Sequence, residues 1–501
     1  MFHLLERDIV SGDLFFAEKE LRVLNRMRFL AVLGTLLVTT MACAEDWLQF
    51  RGPNASGVST ESKNLPVDFS FEKNVLWKQV LGEGIACPIV AQGRVIATTM
   101  ADKQTFSIRC FNAASGDPYW RKDFKVSGLP AITSPNTPAS STPASDGKRV
   151  YVFFDTLGLM AFDLADGKLL WKQDIPEPFY LLDWGAAASP IVYKDMVIFN
   201  QDDDLNPFVV AYDAITGKER WRTERTEMLA GYALPVICRA NGRDDLVLAG
   251  SGKLKGYDPS TGKERWNCNS LLRTIMTTPV VKDGRIYITV QSYGDTDRVL
   301  KFALLQWKDT NQDGKLDKKE IGKAFWKKFD RGDANGDGFL VEDEIDNAFQ
   351  AATNRVGGGN IIQAVRGGGT GDVTKTHVVF NLDHPASSNI SSPLAYGNQL
   401  FMVKKGGITA CFDNRDGKTI WMKKRINNFG NYYASPVAGD GKIYVMGENG
   451  FLSVLEHGPT LKRLSKNDMG DSCVATPAIA DGRIFVRTLN TLYCFSREAE
   501  E

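Results

Sequence analysis

The chain has 501 residues with equal numbers of basic and acidic residues, 60 of each, and therefore no formal net charge at pH 7. Because nucleic-acid binding needs concentrated positive charge and no basic run stands out, the composition does not favour a nucleic acid as partner. Hydrophobic residues make up 43% of the chain, which is enough for a sizeable core without a dense disulfide network.

Residues 27–44 form an apolar run that follows two basic residues and ends in the small residues Ala42, Cys43 and Ala44. This pattern predicts a secretory signal peptide with an A-x-A cleavage site, and the run is too short to span a membrane. We therefore expect an exported protein of the periplasm, cell envelope or extracellular space. The charged segment before the run is atypical of a signal peptide, so we predict that translation starts at Met27. A lipid anchor at Cys43 is the alternative, although the preceding residues match a lipoprotein signal poorly.

A sequence motif occurs four times, in which a Gly-Lys pair begins four residues after an Asp and a Trp follows four residues after that Gly. Asp can cap a turn through its side chain and Gly tolerates a positive φ, so each copy predicts a hairpin turn between two strands. The Trp on the second strand is large enough to fill the seam between neighbouring repeats. The copies are Asp163, Gly167 and Trp171; Asp213, Gly217 and Trp221; Asp258, Gly262 and Trp266; and Asp413, Gly417 and Trp421, with a weaker copy at Asn112, Gly116 and Trp120.

A second repeated motif consists of a usually small residue, a Pro, two apolar residues, a turn and a run of alternating apolar residues. The alternation has a period of two, which predicts half-buried strands joined by hairpins. Eight such units of four short strands predict an all-β fold that closes as an eight-bladed β-propeller, with an open β-solenoid as the alternative. The motif occurs at Pro88, Pro143, Pro190, Pro235, Pro279, Pro393, Pro436 and Pro477.

The two ends of the repeat region favour the closed ring. The last unit lacks a strand with a Trp, whereas residues 74–79 carry Trp77 in front of the first unit. Pairing 74–79 with the last unit would complete blade eight and remove an exposed sheet edge.

One interval between the prolines is too long. Pro279 and Pro393 are 114 residues apart, whereas the other intervals are 41 to 55 residues. We therefore expect an insertion of about 70 residues in blade five, at a hairpin tip where insertions are well tolerated. It begins after the predicted strand 299–307, and Phe380 takes the place of the blade Trp. The predicted organisation is a leader at 1–44, an N-terminal segment at 45–73, propeller at 74–306, insert and linker at 307–372, and propeller at 373–497.

The insert contains two tandem matches to the calcium-loop pattern D-x-[DN]-x-[DN]-G-x5-E. Oxygen ligands at positions 1, 3 and 5, the carbonyl of position 7 and a bidentate Glu at position 12 converge on one ion. An acidic surface turn is the alternative explanation, but it does not account for two full matches. The predicted ligands are Asp309, Asn311, Asp313, Lys315 (carbonyl), Asp317 (through water) and Glu320, followed by Asp333, Asn335, Asp337, Phe339 (carbonyl) and Glu344.

These loops resemble the EF-hand family, with one departure. They start only 24 residues apart, and no clear amphipathic helix precedes the first. The shared helix between them carries an apolar face, so this small α-helical EF-hand pair looks more like a dockerin-type calcium module than a calmodulin-type sensor. The resemblance implies two calcium ions with a mainly structural role. The apolar face consists of Ile321, Ala324, Phe325 and Phe329.

The glycine-rich stretch 356–377 follows the second loop. It lacks the G-x4-G-K-[ST] phosphate loop, so we interpret it as a flexible linker that returns to the propeller.

The motif A-[FY]-D-x3-G-K-x2-W resembles the repeat of the pyrroloquinoline quinone (PQQ) dehydrogenases and of their non-catalytic relatives, the PQQ-like propellers. The resemblance covers roughly residues 74–497 apart from the insert, and 46–59 is similar to the start of exported bacterial PQQ-like repeat proteins. It implies the fold and leaves the activity open.

The features that the dehydrogenase resemblance would imply are incomplete. Those enzymes hold the quinone with a Trp and a disulfide of two adjacent cysteines, whereas no two cysteines are adjacent here and no C-x-x-C-H haem motif occurs. A central pocket could recruit Asp183, beside Trp184, or Asp202 to Asp204, although such acids are more often solvated loop residues.

We therefore expect a non-catalytic scaffold, similar to the propeller of the outer-membrane β-barrel assembly machinery, that binds a protein or a cell-envelope polysaccharide. On this interpretation neither catalytic residues nor PQQ are expected. The alternative is a PQQ-dependent dehydrogenase that oxidises alcohols or sugars. A carbohydrate lyase or hydrolase is a third class, for which we find no paired carboxylates.

Overall fold

The computed structural model describes residues 45–180, 183–226, 228, 231–269, 275–292, 305, 308–348, 359–388, 390–426 and 429–497. The predicted signal peptide, the predicted start at Met27 and the lipid anchor considered at Cys43 lie outside the described residues. Among the described residues, no helix is long and apolar enough to cross a membrane.

The first four blades follow one another along the chain, and each pairs its strands antiparallel in sequence order. The short first strand of each blade begins directly after one of the eight prolines. The residue before each Pro is restricted to an extended conformation, so the chain enters this strand already extended. The strands are β2 (Ile89–Ala91), β3 (Arg94–Asp102), β4 (Thr105–Asn112) and β5 (Pro118–Lys125); β6 (Ala144–Ser145), β7 (Arg149–Phe154), β8 (Gly158–Asp163) and β9 (Leu169–Gln173); β10 (Ile191–Tyr193), β11 (Met196–Gln201), β12 (Phe208–Asp213) and β13 (Glu219–Glu224); and β14 (Val236–Ala240), β15 (Arg243–Gly250), β16 (Lys253–Tyr257) and β17 (Glu264–Cys268).

The remaining four blades confirm the prediction of an eight-bladed β-propeller. In blade eight, β1 pairs antiparallel with β35, with Trp77 opposite Cys494, and this pairing closes the ring. The strands are β18 (Val280–Lys282), β19 (Arg285–Ser292), β22 (Gly359–Arg366) and β24 (Val378–Asp383); β25 (Leu394–Tyr396), β26 (Gln399–Lys404), β27 (Ile408–Asp413) and β28 (Thr419–Arg425); β29 (Val437–Gly439), β30 (Lys442–Met446), β31 (Phe451–Glu456) and β32 (Lys462–Asp468); and β33 (Ala478–Ala480), β34 (Arg483–Arg487), β35 (Thr491–Ser496) and β1 (Val75–Val80).

Five of the eight seams between neighbouring blades are filled by an aromatic ring lying on a glycine of the next blade: Trp77 on Gly116, Trp120 on Gly167, Trp171 on Gly217, Trp221 on Gly262 and Phe380 on Gly417. Gly167 has a φ of 69°, and a Cβ there would lie 2.7 Å from the ring of Trp120, so only glycine fits. The indole Nε1 of Trp120 donates to the Leu164 carbonyl at 3.0 Å, which fixes one blade against the next. Phe380 lies on Gly417 in the same way, without the hydrogen bond that an indole provides.

The glycine-rich stretch after the second predicted calcium loop contains a blade strand, which corrects the prediction of a linker there. β22 pairs with β19 and β24 as the third strand of blade five, in place of the predicted strand at 299–307. Residues 299–304, 306 and 307 lie outside the described residues. The misinterpretation arose because the glycines flank the strand, whereas its own residues Ile362, Ala364 and Val365 are fully buried.

The insert lies between β19 and β22 and has its own small core. Its loops are joined by an antiparallel pair, Leu316 opposite Leu340. The side chains of Ile321, Phe325 and Phe329 are buried in this core, and nothing is described for the side chain of Ala324. The elements are β20 (Leu316–Asp317), α1 (Lys318–Ile321), a 3₁₀ turn (Lys323–Phe325), α2 (Trp326–Gly332), β21 (Phe339–Leu340) and α3 (Glu342–Ala348); elsewhere a 3₁₀ turn (Pro53–Ala55) and β23 (Gly371–Asp372), parallel to β17, complete the fold.

Candidate functional site in the axial cavity

The residues that directly precede the eight prolines form a ring around the propeller axis. They line a cavity of about 480 Å³ together with the residues two positions earlier in each blade. The size lies within the usual range for small-molecule sites. The ring consists of Cys87, Thr142, Ser189, Leu234, Thr278, Ser392, Ser435 and Thr476.

The ring is held together by hydrogen bonds from the backbone of one blade to the side chain of the next. The amide of Cys87 donates to Thr142 Oγ1 at 3.1 Å, and the amide of Thr476 donates to Cys87 Sγ at 3.1 Å, which joins the first and last blades. Leu234 is the exception, because its side chain offers no acceptor. The other bonds of this kind are Thr142 N to Ser189 Oγ, Leu234 N to Thr278 Oγ1, Thr278 N to Ser392 Oγ, Ser392 N to Ser435 Oγ and Ser435 N to Thr476 Oγ1, at 3.0 to 3.2 Å.

Trp184 and Tyr232 line one side of the cavity, and Tyr180 stacks on Tyr232 without lining the cavity itself. We call these three residues the aromatic wall. The rings of Tyr180 and Tyr232 stack with centroids 4.9 Å apart, and Trp184 lies 6.2 Å from Tyr232. Asn136 Nδ2 donates to the Trp184 carbonyl at 2.7 Å and so ties the wall to blade two. Burial, and then the negative charge of Asp204, raises the pKa of Tyr232 well above its usual range. Tyr232 therefore stays protonated and can donate a hydrogen bond at neutral pH.

The N-terminal segment contacts the inner strands of the propeller and contributes Phe50 to the cavity lining. Trp47 bridges to Val90 in blade one, and Val58 bridges to Ala438 in blade seven. On the blade-four side, Asn54 exchanges two hydrogen bonds with the backbone of Ile237, at 2.7 and 2.8 Å. The segment thus joins blades that lie far apart around the ring.

Two fully buried arginines lie next to the ring. Arg51 Nη2 donates to the carbonyls of Pro393 and Pro436, and Arg487 Nη1 donates to those of Ala86 and Thr98. Within the described part of the chain neither forms an ion pair, and two side-chain nitrogens of each have no hydrogen-bond partner.

Burial lowers the pKa of both Arg51 and Arg487 to about 9, and the nearby Cys87 thiol partly opposes this shift. Both guanidinium groups remain charged at neutral pH. Neither arginine is among the residues that line the cavity. A buried charge without a counter-ion is unfavourable, so the two arginines make the surroundings of the ring electropositive.

The candidate acids named from the sequence do not line the cavity. Asp202 forms a bidentate buried ion pair with Arg225, with N···O distances of 2.7 and 2.8 Å. Asp203 Oδ2 accepts from the Phe179 amide at 3.0 Å. Asp183 is exposed. Long-range pairing of Asp202 could not be read from the sequence, because Arg225 lies 23 residues away.

Cys87 is the only cysteine that lines the described cavity. All seven described cysteines are buried and none is joined in a disulfide, and burial is the main cause of the raised pKa of Cys87. The described residues therefore contain no disulfide against which a planar ligand could rest, and the aromatic wall is the flat surface that the cavity offers.

The two predicted calcium loops have the same backbone conformation. The carboxylate of Asp309 accepts from the Gly314 amide at 2.9 Å, and that of Asp333 accepts from the Gly338 amide at 3.1 Å. Glu320 turns back to accept the Thr310 amide at 3.1 Å, so it lies against the start of its loop.

The remaining predicted ligands keep this pattern. Asn311 Oδ1 accepts from the Asp313 amide and Asn335 Oδ1 from the Asp337 amide, and Glu344 accepts from the Val341 amide. Asp317 caps α1 through the Glu320 amide and pairs with Phe339 in the short sheet. Lys315 Nζ lies 5.2 Å from the centroid of the Phe339 ring in a cation–π contact. Within the described residues, no three His, Cys, Asp or Glu side chains are gathered as a metal cluster.

Comparison with known proteins relates the propeller to two groups. The family described as "Outer membrane protein assembly factor BamB" matches residues 67–179, 104–351 and 370–501. Quinohemoprotein alcohol dehydrogenase ADH IIB of Pseudomonas putida is 34% identical over 140 residues, which are 27% of this chain and 19% of that protein. The chain thus spans about a fifth of the length of this curated relative.

Solved structures from both groups share the fold. BamB from Moraxella catarrhalis has a TM-score of 0.50 at 14% identity, covering 84% of this chain and 99% of that chain. Quinohemoprotein alcohol dehydrogenase from Comamonas testosteroni has a TM-score of 0.53 at 11% identity, covering 93% and 83%. A europium-containing methanol dehydrogenase has a TM-score of 0.52 at 10% identity, covering 89% and 90%. At these identities the likeness concerns the fold alone.

The expectation of a non-catalytic scaffold that does not use PQQ is wrong, because the sequence match is to a quinohemoprotein alcohol dehydrogenase. The expectation depended on the missing pair of adjacent cysteines. The missing cysteine pair concerns one surface of such a cavity, and the expectation takes no account of the flat surface that Trp184 and Tyr232 form here.

Proposed function

The chain belongs to the family described as outer membrane protein assembly factor BamB. Because part of it also matches a quinohemoprotein alcohol dehydrogenase, we propose that its propeller works as an exported PQQ-dependent dehydrogenase of alcohols or sugars. The cofactor would lie in the axial cavity. The observation that carries the proposal is the cavity itself, which has a flat aromatic surface formed by Trp184 and Tyr232. Two buried arginines that no carboxylate pairs within the described residues lie next to its ring, outside the lining.

The lining fits the flat shape of PQQ, a planar aromatic quinone with carboxylate groups. Trp184 and Tyr232 suit its flat face, and aromatic rings favour offset or tilted packing. Arg51 and Arg487 lie next to the ring but outside the lining, so they would act on the carboxylates through their charge and not through direct hydrogen bonds. When bound, the quinone would supply an acceptor for the two electrons and two protons that an alcohol loses on oxidation to an aldehyde or ketone, and would itself become the quinol.

The chain's own contribution would be to position the ligand and to exclude water. The ring hydroxyls of Thr142 and Ser189 already accept backbone amides, so they hold fixed orientations toward the axis. The protonated hydroxyl of Tyr232 can donate to a ligand oxygen, and its high pKa keeps it from releasing the proton. Donors that are fixed before the ligand arrives lose little freedom on binding.

A dye-linked oxidation assay tests this proposal. We expect the mature protein, supplied with PQQ and Ca²⁺, to reduce the dye with at least one primary alcohol or aldose. Trp184→Ala should abolish the activity, whereas Tyr119→Ala, on an outer strand where Tyr119 is 47% exposed, should not change it. Dye reduction that is absent with every alcohol and sugar, or equal in Trp184→Ala, would contradict the proposal.

We also propose that the two loops of the insert bind one Ca²⁺ each through the ligands predicted from their sequence. The repeated turn in which Asp309 and Asp333 cap equivalent glycine amides supports this, because it brings positions 1 and 6 of each loop together. Calorimetric titration after chelation should give two ions per chain, and one or none would contradict it.

A protein partner at the cell envelope is a second proposal, supported by the family's description as an assembly factor. Large apolar side chains are exposed on outermost strands, with Val80 of β1 72% exposed and Leu169 of β9 46% exposed. Cross-linking at these strands should capture a partner from envelope extracts. Val80→Ser with Leu169→Ser should lose the partner while dye-linked oxidation is retained.

A further inference from the structure

The calcium insert rests directly on a loop of the propeller. Phe325 of the insert packs edge-on against Phe179, with ring centroids 4.6 Å apart, and Leu205 also packs against the insert core. Beside this contact, Lys328 Nζ donates to the Asp204 carbonyl at 3.0 Å. We call this contact the insert platform, defined by Phe179, Asp204 and Leu205 on the propeller.

The insert platform is continuous with the aromatic wall of the cavity. Phe179 precedes Tyr180, and its carbonyl accepts from the Asp204 amide at 2.9 Å while its own amide donates to Asp203. The other half of the wall is tied to the same strand end, because the Gly231 amide, next to Tyr232, donates to the Asp202 carbonyl at 2.9 Å. Both stacked tyrosines therefore depend on the position of residues 202–204.

The insert has little stability of its own without an ion. Its helices are four, seven and seven residues long, which is too short to be stable in isolation. Its core contains seven buried side chains, and its loops concentrate acidic residues that repel one another when no cation is present. Ion binding and folding of the insert are therefore coupled, and Phe325 is part of the element that would be ordered.

We propose that Ca²⁺ in the insert positions the aromatic wall of the axial cavity, so that occupation of the two loops sets the affinity of the cavity for its planar ligand. This inference rests on the proposed dehydrogenase function for the identity of the ligand. It assigns to Phe179 and Phe325 a positioning role that acts through Tyr180 and Tyr232. Neither phenylalanine lines the cavity.

The first test follows the wall itself and needs no quinone. The fluorescence change on adding Ca²⁺ to the chelated full chain is measured in each protein with Trp184 and again with Trp184→Phe. Subtracting the second change from the first gives the contribution of Trp184. We expect such a contribution in the wild type and an equal one in Trp326→Ala, but none in Phe179→Ala. Trp326 is the matched control, because it neighbours Phe325 but is 41% exposed.

The second test measures PQQ binding in variants that still hold both calcium ions. Phe179→Ala changes the contact from the propeller side, and Phe325→Leu changes it from the insert side while keeping most of the side-chain volume. Each should retain two Ca²⁺ per chain and bind PQQ about tenfold more weakly, whereas Trp326→Ala should bind it normally.

The outcomes separate this inference from the proposed function. If the wild type binds no PQQ but the Trp184 signal behaves as expected, the dehydrogenase proposal fails and the coupling stands. If Phe179→Ala holds two ions and keeps the wild-type Trp184 signal, the coupling is overturned. If only Phe325→Leu loses an ion, Phe179→Ala alone decides, because it leaves the insert core unchanged.

Discussion

The propeller and its insert are built in opposite ways. The propeller repeats one contact, an aromatic ring against a glycine of the next blade, at five of its eight seams. The insert has seven core side chains and short helices, and its acidic residues are concentrated in two loops. A repeated contact distributes stability over many blades, whereas on our proposal the small insert depends on bound Ca²⁺ and on the propeller surface that it contacts.

The comparison is tested most strongly by damaging one seam of the propeller. Trp171→Ala removes a ring that lies on Gly217 and a hydrogen bond from Nε1 to the Ala214 carbonyl at 3.1 Å. We expect the free energy of unfolding to fall by about 4 kcal/mol. Leu170→Ala, on the same strand but 41% exposed, is the control and should have little effect. Equal losses in the two variants, measured by urea unfolding, would argue against the seam.

A smaller effect is expected from the buried ion pair inside the propeller. Asp202→Asn leaves the guanidinium of Arg225 buried without its carboxylate, and the free energy of unfolding should fall by about 3 kcal/mol. The double variant Asp202→Asn with Arg225→Met should recover part of this loss, because no unpaired charge remains. A double variant less stable than the single one would contradict this account.

Substitution of Asp155 should raise the free energy of unfolding, whereas the two substitutions above should lower it. Burial, followed by the negative charge of Glu177, raises the pKa of the Asp155 carboxyl from 3.8 to about 6. The folded state therefore holds this proton more tightly, and the stability that Asp155 contributes below about pH 4 is lost as pH rises through 6. Asp155→Asn should raise the free energy of unfolding at pH 7 by about 2 kcal/mol and flatten its dependence on pH between 4 and 6. An unchanged pH profile would contradict the burial argument.

The smallest effect on the whole chain should come from the insert. Glu320→Gln weakens the bidentate ligand of the first loop and should lower the affinity of one calcium site by about tenfold or more. The urea midpoint of the propeller should stay constant. Glu61→Gln, on an exposed position of the N-terminal segment, is the matched control for loss of a carboxylate. A lower propeller midpoint in Glu320→Gln would show that the two regions do not differ as described.

Local spacing was sufficient to predict most of the fold. The interval from Asp to Gly to Trp identifies the hairpins, and the position of Phe380 in the same frame matches its place on Gly417. The strand Gly359–Arg366 was missed because glycines surround it, and only its partners β19 and β24 identify it as part of a blade. The eight residues before the prolines were visible as a pattern, and their ring follows from propeller closure.

The cavity was harder to predict because its parts are distant in the sequence. Arg51 and Arg487 lie in the N-terminal segment and in blade eight, and nothing in the local sequence of either indicates burial beside the ring. The tyrosines of the wall lie in loops without periodicity. The relevant signal, two arginines without an acidic partner, exists only once the chain is folded.

The most direct test of the central claim is a calorimetric titration of the calcium-loaded protein with PQQ, in the wild type and in Trp184→Ala. The account predicts saturable binding of one PQQ per chain, and a loss of that binding in Trp184→Ala while the protein remains folded, because the aromatic surface that lines the cavity is removed. Absence of saturable binding in the wild type, or equal binding in both proteins, would contradict it.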